Sequence, residues 1–206
     1  MRLEPVKTDP RIFLDPERTT LLIIDIQEKF IPHLIRKDDF IRNTMLLIEL
    51  AKIMSIPIIV TEHNPKGLGK TIKAIKDILP RKTKIIEKHT FSTFSTQEFV
   101  KAIQEIGDAS RTLLVAGIES HICIMQSVLE ALSQGYKVHV AGDAVTARSR
   151  FNWEVGLKRM EQSGAVISSA EMASYELLRR SDTATFKEFL PVIKVLSQKT
   201  DEDKNF

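Results

Sequence analysis

The chain contains a single cysteine, Cys123, and whether its thiol does chemistry depends on what surrounds it. It lies in Gly117-Ile118-Glu119-Ser120-His121-Ile122-Cys123-Ile124-Met125, directly after the apolar run Leu113-Leu114-Val115-Ala116. An apolar run that stops at glycine, followed by a serine and an apolar-periodic segment, reads as strand, tight turn and helix. Ser120 is then the N-cap and Cys123 falls in the first helical turn. Unpaired N–H groups and the positive end of the helix dipole favour negative charge there, which draws a thiol toward the nucleophilic thiolate. Two further residues stand at comparable places. Asp25 ends the run Thr19-Thr20-Leu21-Leu22-Ile23-Ile24, and Lys88 ends Thr83-Lys84-Ile85-Ile86-Glu87. A carboxylate can take the thiol proton as general base, and an ammonium beside sulfur stabilises the thiolate. Helix position and Lys88 predict a thiol pKa below the ordinary value of about 8.5, with Asp25 opposing them by repulsion. Each residue alone has a plainer reading: a small buried hydrophobe for Cys123, a cap or loop anchor for Asp25, a solvated cation for Lys88.

The elements between them decide whether they meet. After the first strand, residues 38 to 54 carry apolar positions at helical spacing, and Pro57 introduces a second strand, Ile58-Ile59-Val60. A loop from Thr61 to Thr71 leads into a helix around 71 to 79, and the third strand ends at Lys88. A helix from Thr96 to Ile106, stopped by Gly107, precedes the fourth strand at 111 to 116, and the cysteine helix runs to about Gln134. A fifth strand covers 136 to 141, a helix 152 to 163, a sixth strand 164 to 167, and two closing helices 170 to 180 and 183 to 198. This alternation predicts an α/β fold: one three-layer α/β/α domain over residues 19–198 around a six-stranded parallel sheet of order 3-2-1-4-5-6. Residues 1–18 read as an extended lead-in and 199–206 as a polar tail. In such a sheet all strand carboxyl ends share one edge, and ligands bind where the strand order reverses. Asp25 and Cys123 then flank that point, with Lys88 within reach.

Composition narrows the function classes. With 206 residues, 43% of them hydrophobic, the chain can bury one sizeable core. The net charge of +3, from 30 basic and 27 acidic residues without a basic run, implies no nucleic-acid partner. No apolar stretch approaches the roughly 18 residues needed for a membrane span. One cysteine excludes an intrachain disulfide framework and fits a reducing compartment, so a cytoplasmic protein is expected.

Four segments carry a resemblance: Leu22-Ile23-Ile24-Asp25-Ile26-Gln27-Glu28-Lys29-Phe30, Glu87-Lys88-His89-Thr90-Phe91-Ser92, Gly117-Ile118-Glu119-Ser120-His121-Ile122-Cys123 and Gly142-Asp143-Ala144-Val145-Thr146-Ala147-Arg148-Ser149. They resemble the isochorismatase-like cysteine hydrolases, a family that includes nicotinamidases and N-carbamoylsarcosine amidases. The segment Thr61-Glu62-His63-Asn64-Pro65-Lys66-Gly67-Leu68-Gly69 is similar to the isochorismatase-domain-containing branch. The resemblance implies an Asp25, Lys88, Cys123 triad and a cis peptide between Ile118 and Glu119. It further implies an oxyanion hole formed by the N–H groups of Glu119 and Cys123, and homo-oligomeric assembly, for which Phe189-Leu190-Pro191-Val192-Ile193 offers either an interface or a cover for the sheet.

The family's nicotinamidases hold a metal through D-x-H-P-x-x-H, whereas this loop offers Glu62 and His63. The histidines at 33, 63, 89, 121 and 139 show no paired ligand spacing, so neither metal nor cofactor is expected. Gln27, Phe30, His63, Phe91 and Ile118 are the expected lining of a substrate pocket, with Phe94 a further aromatic nearby or a core residue. Gly69-Lys70-Thr71 mimics a phosphate-binding loop, but Asn64 stands where that pattern needs glycine. The expected activity is metal-independent hydrolysis of a small amide or related C–N bond through a thioester. The alternatives are a binding or scaffold protein that keeps the pocket without turnover, and a nucleotide-binding regulator.

Overall fold

The computed structural model describes residues 13–107 and 111–196. Most of the expected lead-in and all of the tail 199–206 lie outside the described residues. Six parallel strands form one sheet in the order β3-β2-β1-β4-β5-β6: β1 Thr19–Ile24, β2 Ile58–His63, β3 Lys84–Lys88, β4 Thr112–Ile118, β5 Lys137–Thr146 and β6 Val166–Ser168. All six residues of β1 are buried, as its unbroken apolar and β-branched sequence requires of a strand covered on both faces.

Alternate strand residues serve two separate cores. Leu21, Ile23, Val60, Leu114, Ala116 and Ala141 face one layer, with α1 (Lys37–Ile53), α7 (Ala170–Leu178) and α8 (Ala184–Leu196). Leu22, Ile24, Ile59, Leu113, Val115, Val138 and Val140 face the other, with α4 (Gln97–Ile106), α5 (Met125–Ser133) and α6 (Arg150–Gln162). Two short helices, α2 (Pro65–Leu68) and α3 (Lys73–Lys76), lie between β2 and β3. The first interrupts what the sequence presents as loop, and the second is shorter than the expected 71 to 79. Phe189 and Ile193 of α8 are buried in the first core, so this segment covers the sheet. Phe94 packs against Phe99 and Tyr136 in the second core.

Strand β5 extends well beyond the expected residue 141. Its pairing with β4 shifts register between Val115 and Gly117 and then resumes at Val145 and Thr146. Gly117 has φ +133°, and a Cβ there would lie 2.1 Å from the Ile24 carbonyl oxygen. Only glycine lets β4 approach β1 this closely at the edge where Asp25 and Cys123 follow.

A buried acid, lysine and thiol at the sheet switch point

Asp25 is the first residue beyond β1 and has φ +58°, a left-handed conformation that aspartate tolerates better than most side chains. It is 1% exposed. Its Oδ1 accepts a hydrogen bond from Thr61 Oγ1 at 2.6 Å, and its Oδ2 accepts one from Lys88 Nζ, also at 2.6 Å. Lys88, the last residue of β3, is 2% exposed. Its ammonium donates further bonds to the carbonyls of Thr90 at 3.1 Å and Phe91 at 3.2 Å. Three acceptors for three donors explain how a lysine can be buried here. The register that sets His63 beside Lys88 also places these strand ends together.

Cys123 lies in a π-helical turn, Ser120–Ile124, that precedes α5. The Glu119 carbonyl accepts from the N–H groups of Ile122 and Ile124, and Ser127 Oγ donates to the Cys123 carbonyl at 2.7 Å while accepting from Thr93 N–H. Ser120 does not act as N-cap: its buried hydroxyl has no hydrogen-bond partner among the described residues. Gly156 of α6 presses on the turn, and a Cβ there would lie 2.9 Å from the Ser120 carbonyl oxygen. The Ile118–Glu119 peptide bond is cis. The Glu119 carboxylate is buried and accepts from Arg148 through both N–H and Nε.

The thiol corrects the expectation of a lowered pKa. Cys123 is 7% exposed, and burial first, then the Asp25 carboxylate, push its pKa up to about 12 against the opposing Lys88. Sequence reasoning put the thiol at an open helix end, whereas the wide turn folds it into the second core, where desolvation of the anion dominates. Burial and the nearby Lys88 lower the pKa of His63, outweighing the opposite pull of Asp25.

Asp25, His63 and Cys123 present ligand-type atoms that all lie within 4.8 Å of one another. They line a cavity of about 230 Å³ with Phe30, Leu68, Phe91, Ile118, Glu119, Ile122 and Arg148. Four of the five residues expected to line a pocket are therefore here. Gln27 is not. Buried completely, it donates to the carbonyls of His63 and Gly69 and accepts from His63 N–H, which ties the end of β2 to the following loop. Phe91, 51% exposed, stacks on His63 with ring centroids 5.6 Å apart.

Sequence reasoning missed Thr61, Leu68, Ile122 and Arg148 as contributors, although Arg148 stands within the fourth resembling segment. In the loop where nicotinamidases hold metal, Glu62 accepts from Thr71 N–H and Oγ1 and pairs with Lys70. Those oxygens are occupied by protein donors, so the loop does not fit that ion.

A model of the isochorismatase domain matches residues 19–172. The chain belongs to the isochorismatase-domain family. Isochorismatase family protein 1A of Dictyostelium discoideum is 34% identical over 184 residues, which cover 87% of each chain. The structure of a MAR1 ribonuclease from Caenorhabditis elegans superimposes with a TM-score of 0.84 at 33% identity, covering 92% of this chain and 96% of that one. The Escherichia coli YcaC gene product, described as an octameric hydrolase of unknown specificity, aligns with a TM-score of 0.81 at 25% identity, covering 97% of this chain and all of that one. The family points to hydrolase activity on a six-stranded parallel fold. No described helix is long and apolar enough to cross a membrane.

Proposed function

We propose that this chain is a cysteine hydrolase that cleaves a small amide or related C–N bond through a thioester, with Asp25, Lys88 and Cys123 as its machinery. The observation that carries this reading is the meeting of a buried carboxylate and the only thiol at a small cavity. Its size of about 230 Å³ suits a small molecule better than a polymer.

With a pKa near 12 the resting thiol is neutral, so the proton leaves as sulfur attacks rather than beforehand. Asp25 takes it as general base, and a Cys123 Sγ–C bond forms at the substrate carbonyl. The N–H groups of Glu119 and Cys123 receive the oxyanion. Asp25 returns the proton to the leaving nitrogen as the C–N bond breaks. It then deprotonates a water, whose oxygen attacks the thioester and releases the acid, and the thiol recovers its proton. Lys88 is a positioning residue: its bond to Oδ2 fixes the carboxylate in place beside the thiol.

No step needs metal-bound water, so we read the enzyme as metal-independent. The single cysteine supports a cytoplasmic setting, and the octameric YcaC relative supports a homo-oligomer. Mass spectrometry of the intact chain mixed with a panel of small amides tests the proposal. A mass increase equal to the acyl group, absent in Cys123→Ser, is expected. Absence of adduct and of amine release across the panel would favour the scaffold alternative.

A further inference from the structure

We infer that Asp25, His63 and Cys123 form a binding site for a thiophilic divalent cation such as Zn²⁺, in which the ion ligates the nucleophile and holds it silent. Three ligand types that suit zinc face one cavity, with ligand-type atoms no more than 4.8 Å apart. Tetrahedral zinc with bonds of about 2.0–2.3 Å sets ligand atoms roughly 3.3–3.8 Å apart, so side-chain rotations of about 1 Å bring the three onto one ion. The open fourth position faces the cavity, as in zinc sites that keep a water.

His63 Nδ1 supplies the independent indication. This nitrogen is buried and makes no hydrogen bond of its own among the described residues, while the Thr90 backbone carbonyl lies beside the imidazole and the ring stacks on Phe91, so that the two together orient it. Asp25 spends one lone pair of each oxygen on Thr61 and Lys88, which leaves lone pairs for an ion. This trio differs from the metal loop of nicotinamidases, whose nearest counterpart here, Glu62, is engaged by Thr71 through Oε1 and by Lys70 through Oε2.

Binding is an exchange without redox change. The thiol S–H bond breaks, a sulfur–metal bond forms and one proton passes to solvent. Two cations line the site or brace it, Lys88 on Asp25 and Arg148 on Glu119, and both oppose the incoming charge. The ion is therefore readily removed by a chelator, as a reversible block requires. The site does not depend on the hydrolase reading, because ligation needs the thiol and not turnover.

Anaerobic titration of the full chain with Co²⁺ tests it. One ion per chain is expected, with a sulfur-to-cobalt charge-transfer band and tetrahedral d–d absorption, both erased by added Zn²⁺. Cys123→Ser should abolish the charge-transfer band. His63→Phe, which keeps an aromatic ring on Phe91, should weaken Co²⁺ binding by more than about tenfold, since even outer-shell partners of a metal cost 10–100-fold. His121→Gln, outside the trio, should titrate like the parent. A folded parent chain without the band, or a band unchanged in folded His63→Phe, would overturn the proposal.

Discussion

At the scale of single residues, the buried Asp25–Lys88 pair sets the behaviour of the thiol and can be dissected by opposite substitutions. Asp25→Asn removes the carboxylate that repels the thiolate, so iodoacetamide labelling of Cys123 should quicken and its pH midpoint should fall, while amide hydrolysis disappears with the base. The parent chain should label slowly at neutral pH, because its thiol is protonated there. Lys88→Met should act in the other direction, moving the labelling midpoint upward. It also leaves Asp25 buried without its ammonium, and breaking such a pair costs about 3–5 kcal/mol, which urea denaturation would register. If both variants labelled with the parent's pH profile, Cys123 would be uncoupled from its neighbours and the plain buried-hydrophobe reading would stand. Turnover measured before and after thorough EDTA treatment is a further check. Activity should survive, and its loss and restoration by added transition metal would contradict a metal-independent thiol mechanism.

At the scale of elements, the turn that carries Cys123 is held from outside by α6. Gly156→Ala should gain up to about 1 kcal/mol in helix propensity. It would also force a Cβ to within 2.9 Å of the Ser120 carbonyl and 3.1 Å of the His121 nitrogen, backbone atoms that cannot rotate away. Overpacking costs typically about 1–3 kcal/mol, so net destabilisation is expected together with a fall in kcat as the turn shifts. An unchanged kcat would show that α6 does not position the nucleophile. The same scale explains what the sequence disclosed. Six apolar runs separated by helical periodicity predict the parallel sheet, because a buried strand must be apolar on both faces, and the observed order is the one expected when the first three strands grow one way from β1 and the fourth pairs on its other side. That sheet in turn sorts Asp25, Lys88 and Cys123 onto one edge. The turn before α5 was not legible as π-helical, since Ser120 looks like an ordinary cap and its hydroxyl bonds nothing in the described structure. For that reason the sequence predicts a lowered thiol pKa where burial raises it. The cation trio was equally hidden, because its members come from three strand ends and share no spacing along the chain.

At the scale of the whole molecule, the two cores respond differently to acid. His139 of β5 pairs in register with Leu114, and it alternates with Val138 and Val140 of the second core, so it points into the layer formed by α1, α7 and α8. It is fully buried, neither ring nitrogen has a hydrogen-bond partner among the described residues, and burial lowers its pKa to about 4. The unfolded chain, with an ordinary histidine near 6.5, binds this proton first as pH falls. Stability should therefore decline between about pH 6.5 and 4, by roughly 3 kcal/mol in all from this group. His139→Leu should flatten that part of the difference between urea midpoints at pH 7 and pH 5, and should stabilise the neutral protein by removing an unpaired buried donor worth about 1–3 kcal/mol. An identical pH dependence in the variant would show that His139 is not the group responsible. Cys123, by contrast, belongs to the layer on the opposite face. The sheet thus separates the nucleophile on one face from His139 on the other. Engineering for robustness usually trades against activity because strain and catalysis share a site. Here a more acid-tolerant protein could be made by repacking the surroundings of His139 while keeping Phe30 and Ile118, which its layer shares with the pocket, and leaving the nucleophile as it stands.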